Sequence, residues 1–365
     1  PTALHTRSHP KRQLAWVVLA MFPSILLVST TTLLTQGVAS VPFLWVFPLA
    51  IYLLTFVMAF SKHTFPEPLV LSGTVGFSLF ALVIVISNQP ILLVVQLIFL
   101  LAFLFCAGLF FHCWLYRLRP ESDDLTRYYV LIALGGALGT FFVSIVAPLV
   151  FTRPIEMLLG VTLTFLISFW MYFRQKFFWL KCVVGCATVC FLFLYFVSGR
   201  NGIVFEDRNF YGSLRVRDTH SEQGDIRSLT NGRILHGTQY LEKSKLLQPT
   251  TYYGSTSGIG RVFSQPSDTQ RRVALVGLGA GTLSVYCQEG DLFRFFEIDP
   301  EVHQVASKWF TYLDSCAGAE VVYGDARLSL GRVVKDDPLY DVIVLDAFTD
   351  DSIPVLLLTV DAFGL

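Results

Sequence analysis

Residues 271–300, RRVALVGLGAGTLSVYCQEGDLFRFFEIDP, decide how the second half of this chain is read. A short apolar run (272–276) gives way at once to Gly277-Leu278-Gly279-Ala280-Gly281, and the residues from there to about Gln288 read as a helix. A second apolar run (292–298) carries Glu297 near its tip, and Pro300 opens a helix over 300–310, proline being well suited to a first helical turn. Further out, 320–323 and 341–345 are two more strands, ending on Gly324-Asp325 and on Asp346. Strands and helices alternating at this spacing predict an α/β, Rossmann-like, doubly wound parallel sheet. Glycines after the first strand allow a sharp turn and bring backbone N–H groups close to a ligand. An acidic residue about 20 positions on, at the second strand tip, is placed to accept hydrogen bonds from ribose hydroxyls, and Glu297 follows Gly277 by 20 residues. Gly277, Gly279, Gly281, Glu297 and Asp325 are therefore the candidate nucleoside-binding residues, with Asp325 directed to an adenine amino group. The bland alternatives are solvated loop carboxylates and, for Asp325, a helix N-cap.

Ahead of this sheet, residues 201–262 read as a small antiparallel unit. The stretch YGSLRVRDT (211–219) alternates as a half-exposed strand does, and RSLTNGRILH (227–236) sets Asn231-Gly232 between two short runs, a type I′ hairpin signal. Residues 250–263, beginning in TYYG, read as a helix.

The composition divides at the same place. The chain has 365 residues, 53% of them apolar, and a formal net charge of zero. That apolar share excludes a disordered or collagen-like chain, and the balanced charge gives no support to a nucleic-acid partner. The mean hydropathy of +0.58 is high for one soluble domain. Residues 1–200 carry 12 Lys/Arg against 5 Asp/Glu, and residues 201–365 carry 15 against 22, so the zero is +7 and −7 added together.

Seven apolar runs fill the first half: 14–34, 41–60, 69–87, 91–116, 128–150, 155–173 and 177–197. Each is about the ~20 residues that cross a bilayer core, so residues 1–200 are expected to form a polytopic helical membrane domain with lipid as its surroundings. Gly135 and Gly139 form a small-x-x-x-small pair suited to close helix packing. His112, Gln96 and Lys181 are polar residues of these runs, and His112 and Lys181 lie near enough to span ends to snorkel. Cys182, Cys186 and Cys190 share a helix face and read as small packing residues. Neither a metal-ligand cluster nor a disulfide framework is visible, and nothing in the spacing of Cys287 and Cys316 indicates that they pair.

Orientation sets two rules against each other. Arg7, Lys11, Arg12, Lys62, Arg117, Arg119, Arg127, Arg174 and Lys176 gather at one end of the runs, against essentially Arg153 at the other. The positive-inside rule puts the basic end in the cytoplasm, and seven crossings would then deliver residues 201–365 to the outside. A site for a cytoplasmic nucleoside donor demands the opposite and tips the expectation to the cytoplasmic face, with 177–197 as the run that does not cross.

The glycine loop suits NAD or an S-adenosyl nucleoside, and Gly324-Asp325-Ala326 favours the second. Together FYGSLRV, LTNGRILHGTQ, TYYG, VGLGAG, FFEIDPEV, VYGDAR and DVIVLDAFTDDSIP resemble the spermidine synthase (aminopropyltransferase) family. VPFLWVFPLAIYLLTFVMAF and YYVLIALGGALG extend the resemblance to bacterial membrane-fused members, which implies an inner-membrane location. The resemblance implies an S-adenosylmethionine-methyltransferase-like sheet and transfer of an aminopropyl group from decarboxylated S-adenosylmethionine to a small amine, in polyamine biosynthesis, without a metal. It gives Asp346 the role of catalytic proton acceptor and places Tyr252, Tyr253, Gln239 and Asp350 near the amine. It departs at Ala280, where soluble members carry Asp, and at Thr349, where they carry a second Asp, with Asp350 and Asp351 just beyond. It also implies about seven strands where Leu365 follows four, so the chain is expected to be part of a longer protein. A methyltransferase on the same scaffold, using S-adenosylmethionine, and a non-catalytic transporter or sensor binding a nucleoside or polyamine are the other readings. The oligomeric state is left open.

Overall fold

The computed structural model describes residues 10–35, 42–61, 65–86, 92–173, 178–198, 201–220, 224–265, 269–333, 339–347 and 353–364. The chain divides after Arg200 into two compact units.

The first unit is helical: α1 (Pro10–Thr35), α2 (Phe43–Phe60), α3 (Glu67–Ile86), α4 (Leu93–Arg117), α5 (Leu125–Phe141), α6 (Ala147–Val150), α7 (Glu156–Phe173) and α8 (Phe178–Ser198). A π turn, Phe142–Val146, joins α5 to α6 without a break. Its cause is Pro148, which lacks an N–H and whose ring would clash with the carbonyl four residues back in a regular helix. Six of these helices, the joined α5–α6 counting as one, are long and apolar enough to cross a bilayer. The seventh apolar run forms α8, 21 residues with Lys181 as its sole charge.

Side-chain contacts fix which helix ends share a level. Arg12 donates to the carbonyl of Arg119 at 2.8 Å, Arg117 pairs with Glu67 at 2.9 Å, and the Tyr128 hydroxyl donates to the carbonyl of Leu115 at 2.8 Å. The starts of α1, α3 and α5 therefore lie beside the end of α4. At the other level Thr30, near the end of α1, meets the Met157 sulfur in the first turn of α7. Lys181 in α8 lies over the Trp170 ring of α7 at 4.5 Å, so α8 starts level with the end of α7. The helices run alternately up and down.

Buried Leu26, Leu71, Leu100, Phe103, Phe110 and Val161 pack the centre of the unit. His112 is not a snorkelling residue: it is 1% exposed, its Nδ1 3.1 Å from the Thr55 hydroxyl, with the rings of Tyr52 and Phe56 edge-on to it. Lys181 is likewise buried against Trp170. Gly135 and Gly139 do what the small-x-x-x-small spacing suggests. A Cβ at Gly135 would lie 2.3 Å from the carbonyl oxygen of Val17, and one at Gly139 would lie 2.5 Å from that of Met21.

The second unit holds two four-stranded sheets. β1 (Ile203–Arg208), β2 (Ser213–Thr219), β3 (Ile226–Asn231) and β4 (Ile234–Tyr240) form an antiparallel meander in chain order. The hairpin pairs Asn231 with Ile234, so its loop is Gly232-Arg233 rather than Asn231-Gly232. Positive φ falls on Gly232 alone, +59°, the pattern of a II′ turn rather than I′. Asn231 instead turns its side-chain oxygen to the N–H of Ser213 at 2.9 Å. The expected 250–263 helix breaks at Gly254 into a 3₁₀ turn, Thr251–Tyr253, and α9 (Gly258–Phe263), capped by the Ser257 hydroxyl.

The other sheet is parallel, with β5 (Arg272–Val276), β6 (Leu292–Glu297), β7 (Ala319–Tyr323) and β8 (Val342–Leu345) in the order β7-β6-β5-β8. α10 (Pro300–Trp309) and α11 (Ala326–Val333) follow β6 and β7, and α12 (Val360–Phe363) lies beyond β8. The glycine loop is followed not by a long helix but by a five-residue 3₁₀ turn, Thr282–Tyr286. Leu214, Val216 and Leu229 of the meander share one core with Val273, Leu275, Phe293 and Phe295 of the parallel sheet. A buried pair, Arg271–Asp291 at 2.5 Å, ties the start of β5 to the start of β6. Cys287 and Cys316 are bonded to each other, their Cα atoms 5.4 Å apart. The sequence spacing missed this pair because 29 residues separate the two, and only the fold closes the gap.

Gly135→Ala is expected to lower stability in detergent by about 1–3 kcal/mol, because the α1 backbone has to move. Gly76→Ala, where a Cβ meets nothing within 4 Å, is expected to be neutral or slightly stabilising. Thermal unfolding of the two variants checks this difference.

Candidate functional site

Order 3-2-1-4 in a parallel sheet brings the carboxyl ends of β5 and β8 side by side, and open α/β sheets bind ligands there. The β5–β8 pairing runs to Val276 opposite Leu345, so the next residues, Gly277 and Asp346, come together. Gly277 has φ +100°, and a Cβ on it would lie 2.6 Å from the carbonyl oxygen of Asp346. Only glycine makes that turn at that separation. Gly279 passes equally close to the His236 carbonyl of β4, at 2.7 Å from an added Cβ. The meander thus forms one wall of the glycine loop.

The Asp346 side chain meets the first 3₁₀ turn of the unit. The Tyr253 hydroxyl donates to its Oδ2 at 2.5 Å, and the Tyr252 hydroxyl lies 3.1 Å from that of Tyr253. With one proton on each phenol, Tyr253 gives its own to the carboxylate and accepts from Tyr252. Tyr253 is 5% exposed and Tyr252 48%, so the relay runs from the surface through a buried phenol to a half-buried acid. Burial raises the Asp346 carboxyl to about 6, the Tyr253 hydrogen bond opposing the rise. Burial and then the Asp346 charge push the Tyr253 phenol well above its ordinary range. A carboxylate near 6 is ionised at neutral pH yet holds a proton better than an ordinary aspartate, which suits a general base.

Two residues that no motif announced support this pair. Tyr286, in the turn after the glycine loop, donates to the Tyr253 carbonyl at 2.6 Å. Thr251 has φ +55°, the one positive value on a non-glycine among the described residues. That conformation is strained for a β-branched residue, and it immediately precedes the tyrosines that meet Asp346.

Glu297 is buried at 8% exposure, and its carboxylate accepts from the N–H of Leu278 and of Asp299, each at 3.0 Å. It therefore holds the glycine loop to β6. Burial raises its carboxyl, with those two N–H bonds opposing. Asp325 is exposed and caps α11 through the N–H of Leu328 at 3.0 Å. Gln239 is 1% exposed and its amide is engaged by the Leu246 carbonyl and by the hydroxyl and N–H of Thr311, which gives it a packing role in the structure. Asp350, with Thr349 and Asp351, lies outside the described residues. Thr282 and Ser284, just after Gly281, carry buried hydroxyls with no hydrogen-bond partner, donors and acceptors that a bound polar ligand would satisfy. Among the described residues no group of three or more His, Cys, Asp or Glu side chains converges as a metal site would.

No family model matches the chain. It is similar to a polyamine aminopropyltransferase of Vibrio vulnificus (strain CMCP6), 28% identical over 180 residues, which is 47% of this chain and 57% of the relative. It is also similar to an eEF1A lysine and N-terminal methyltransferase of Xenopus laevis, 26% identical over 170 residues, covering 43% of this chain and 24% of that protein. Both relatives are transferases, which supports a transferase here at that coarse level. The chain spans about half the length of the first relative and a quarter of the second.

The raised carboxyl has a thermodynamic consequence. Below about pH 4 Asp346 is protonated in both the folded and unfolded chain. As pH climbs toward 6 the unfolded chain releases its proton first, so stability falls, and above about 6 the loss is complete. From 3.8 to about 6 the loss is about 3 kcal/mol. Asp346→Asn is expected to remove that part of the pH dependence, as seen in unfolding midpoints between pH 4 and 7.

Proposed function

We propose that the chain is a membrane-anchored transferase that takes an S-adenosyl-type nucleoside as donor and transfers an aminopropyl group to a small amine. The observation that carries this reading is the Tyr253–Asp346 hydrogen bond at the tip of β8, against the backbone of the glycine loop. In the proposed reaction the amine nitrogen attacks the carbon beside a sulfonium. The C–N bond forms as the C–S bond breaks, the sulfur leaves as the neutral thioether methylthioadenosine, and Asp346 takes the proton that the amine loses. No covalent intermediate with the protein is required, so the work of the residues is to orient the amine and exclude water. Glu297 and the Gly277–Gly281 loop would hold the nucleoside. Tyr252 and Tyr253 would face the amine and keep Asp346 in place.

Methyl transfer from S-adenosylmethionine is the second reading, favoured by the methyltransferase relative and by Ala280 in the glycine loop. A non-catalytic ligand-binding role is the third. It leaves the raised Asp346 carboxyl without a task.

The test is methylthioadenosine release from decarboxylated S-adenosylmethionine and putrescine, measured on the full-length protein in detergent or vesicles. Asp346→Asn is expected to lower the rate by ~10²–10⁴, the usual worth of a general base. The wild-type rate is expected to fall off below a pH of about 6. Absence of product with Asp346 intact would overturn aminopropyl transfer, and release of S-adenosylhomocysteine from S-adenosylmethionine would establish the second reading.

A further inference from the structure

Two independent features bear on the side of the membrane at which residues 201–365 work. The first is the disulfide. Cys287 ends the 3₁₀ turn Thr282–Tyr286, and Cys316 ends a second 3₁₀ turn, Leu313–Ser315. Cys316 is 5% exposed inside the core shared by the two sheets. Leu313, three residues before it, packs on the glycine loop, and a Cβ on Gly281 would lie 3.0 Å from its Cγ. The bond therefore braces the floor of the candidate nucleoside site. Bonds of this kind persist in oxidising compartments and are rare in a reducing cytosol.

The second feature is the parity of the helices. The contacts of Arg12, Glu67, Arg117 and Tyr128 place the starts of α1, α3 and α5 and the end of α4 at one level, and Lys181 joins the start of α8 to the end of α7. Among the described residues Arg12, Arg117, Arg119 and Arg127 border that level, and the connections at the other level carry one basic residue, Arg153. Basic connections stay in the cytoplasm. With the 21-residue α8 taken as a further crossing beside the six long apolar helices, the chain leaves it at Ser198 on the far side.

We propose that residues 201–365 fold on the non-cytoplasmic face, where Cys287 and Cys316 are oxidised and so fix the turn that carries the glycine loop. The bond forms as two S–H bonds break. The two protons go to solvent, and the two electrons go to a disulfide-carrying oxidoreductase of that compartment by thiol–disulfide exchange. A cytoplasmic donor would then reach this site only after export, so a transport reaction must precede the transfer proposed above. The inference itself does not rest on that transfer.

The full chain in bacterial spheroplast membranes tests it, with a single cysteine introduced at exposed Lys243 of the second unit (Lys243→Cys) or at exposed Glu121 between α4 and α5 (Glu121→Cys). A membrane-impermeant maleimide is expected to label Lys243→Cys in intact spheroplasts and Glu121→Cys only after permeabilisation, against the unsubstituted chain as background. Mass-tagging under denaturing conditions is expected to leave Cys287 and Cys316 unmodified until a reductant is added. The reverse labelling pattern would overturn the assigned face, and free thiols at Cys287 and Cys316 in freshly isolated membranes would overturn the oxidised brace. Both readouts are independent of activity, so this inference and the transfer chemistry fail separately.

Discussion

The backbone of Gly277 passes so close to the carbonyl of Asp346 that no other residue fits, and this approach follows from the parallel pairing of β5 with β8. Most of the second unit's candidate chemistry depends on it. The pairing sets the glycine loop and Asp346, an acid with a strongly raised carboxyl, beside each other. The core shared with the meander then brings β4 against Gly279 and the tyrosine turn against Asp346. Burial at this junction makes Asp346 basic, and the Tyr253 proton keeps it from becoming neutral at physiological pH. A carboxylate in open solvent at the same strand tip would be a weaker proton acceptor.

The parallel sheet was legible because buried strands read as short apolar runs and because glycines and acids mark their carboxyl ends. β5 occupies the residues of its apolar run, and β6, β7, β8 and α10 differ from theirs by a residue at an end. The helices of the first unit were legible for the same reason, since long apolar runs have few other uses. What sequence missed depends on distant partners. Asn231-Gly232 has the residues of a I′ turn, yet pairing with β2 draws Asn231 into the strand and shifts the loop to Gly232-Arg233. The Cys287–Cys316 bond, the Tyr286 support and the packing role of Gln239 are tertiary contacts that no local pattern encodes. Glu297 was legible as a strand-tip acid, but its hold on the Leu278 N–H shows that such an acid also builds the loop it borders.

The zero net charge, a basic helical half offset by an acidic α/β half, joins structure to orientation. The basic connections decide which level of the helices stays inside, and the disulfide in the acidic half agrees with the outcome of that rule. The metabolic origin of an S-adenosyl donor argues the other way. Charge and cysteine thus favour the proposed non-cytoplasmic face over the cytoplasmic placement that the chemistry alone suggests.

That the sheet tip holds an S-adenosyl-type nucleoside is the central claim, and hydrogen–deuterium exchange on the full chain measures it without requiring turnover. Adding decarboxylated S-adenosylmethionine is expected to slow exchange in peptides covering 277–281 and 251–254, with the membrane helices unchanged. Unchanged exchange across 277–281 at saturating donor, or protection confined to the first unit, would contradict it.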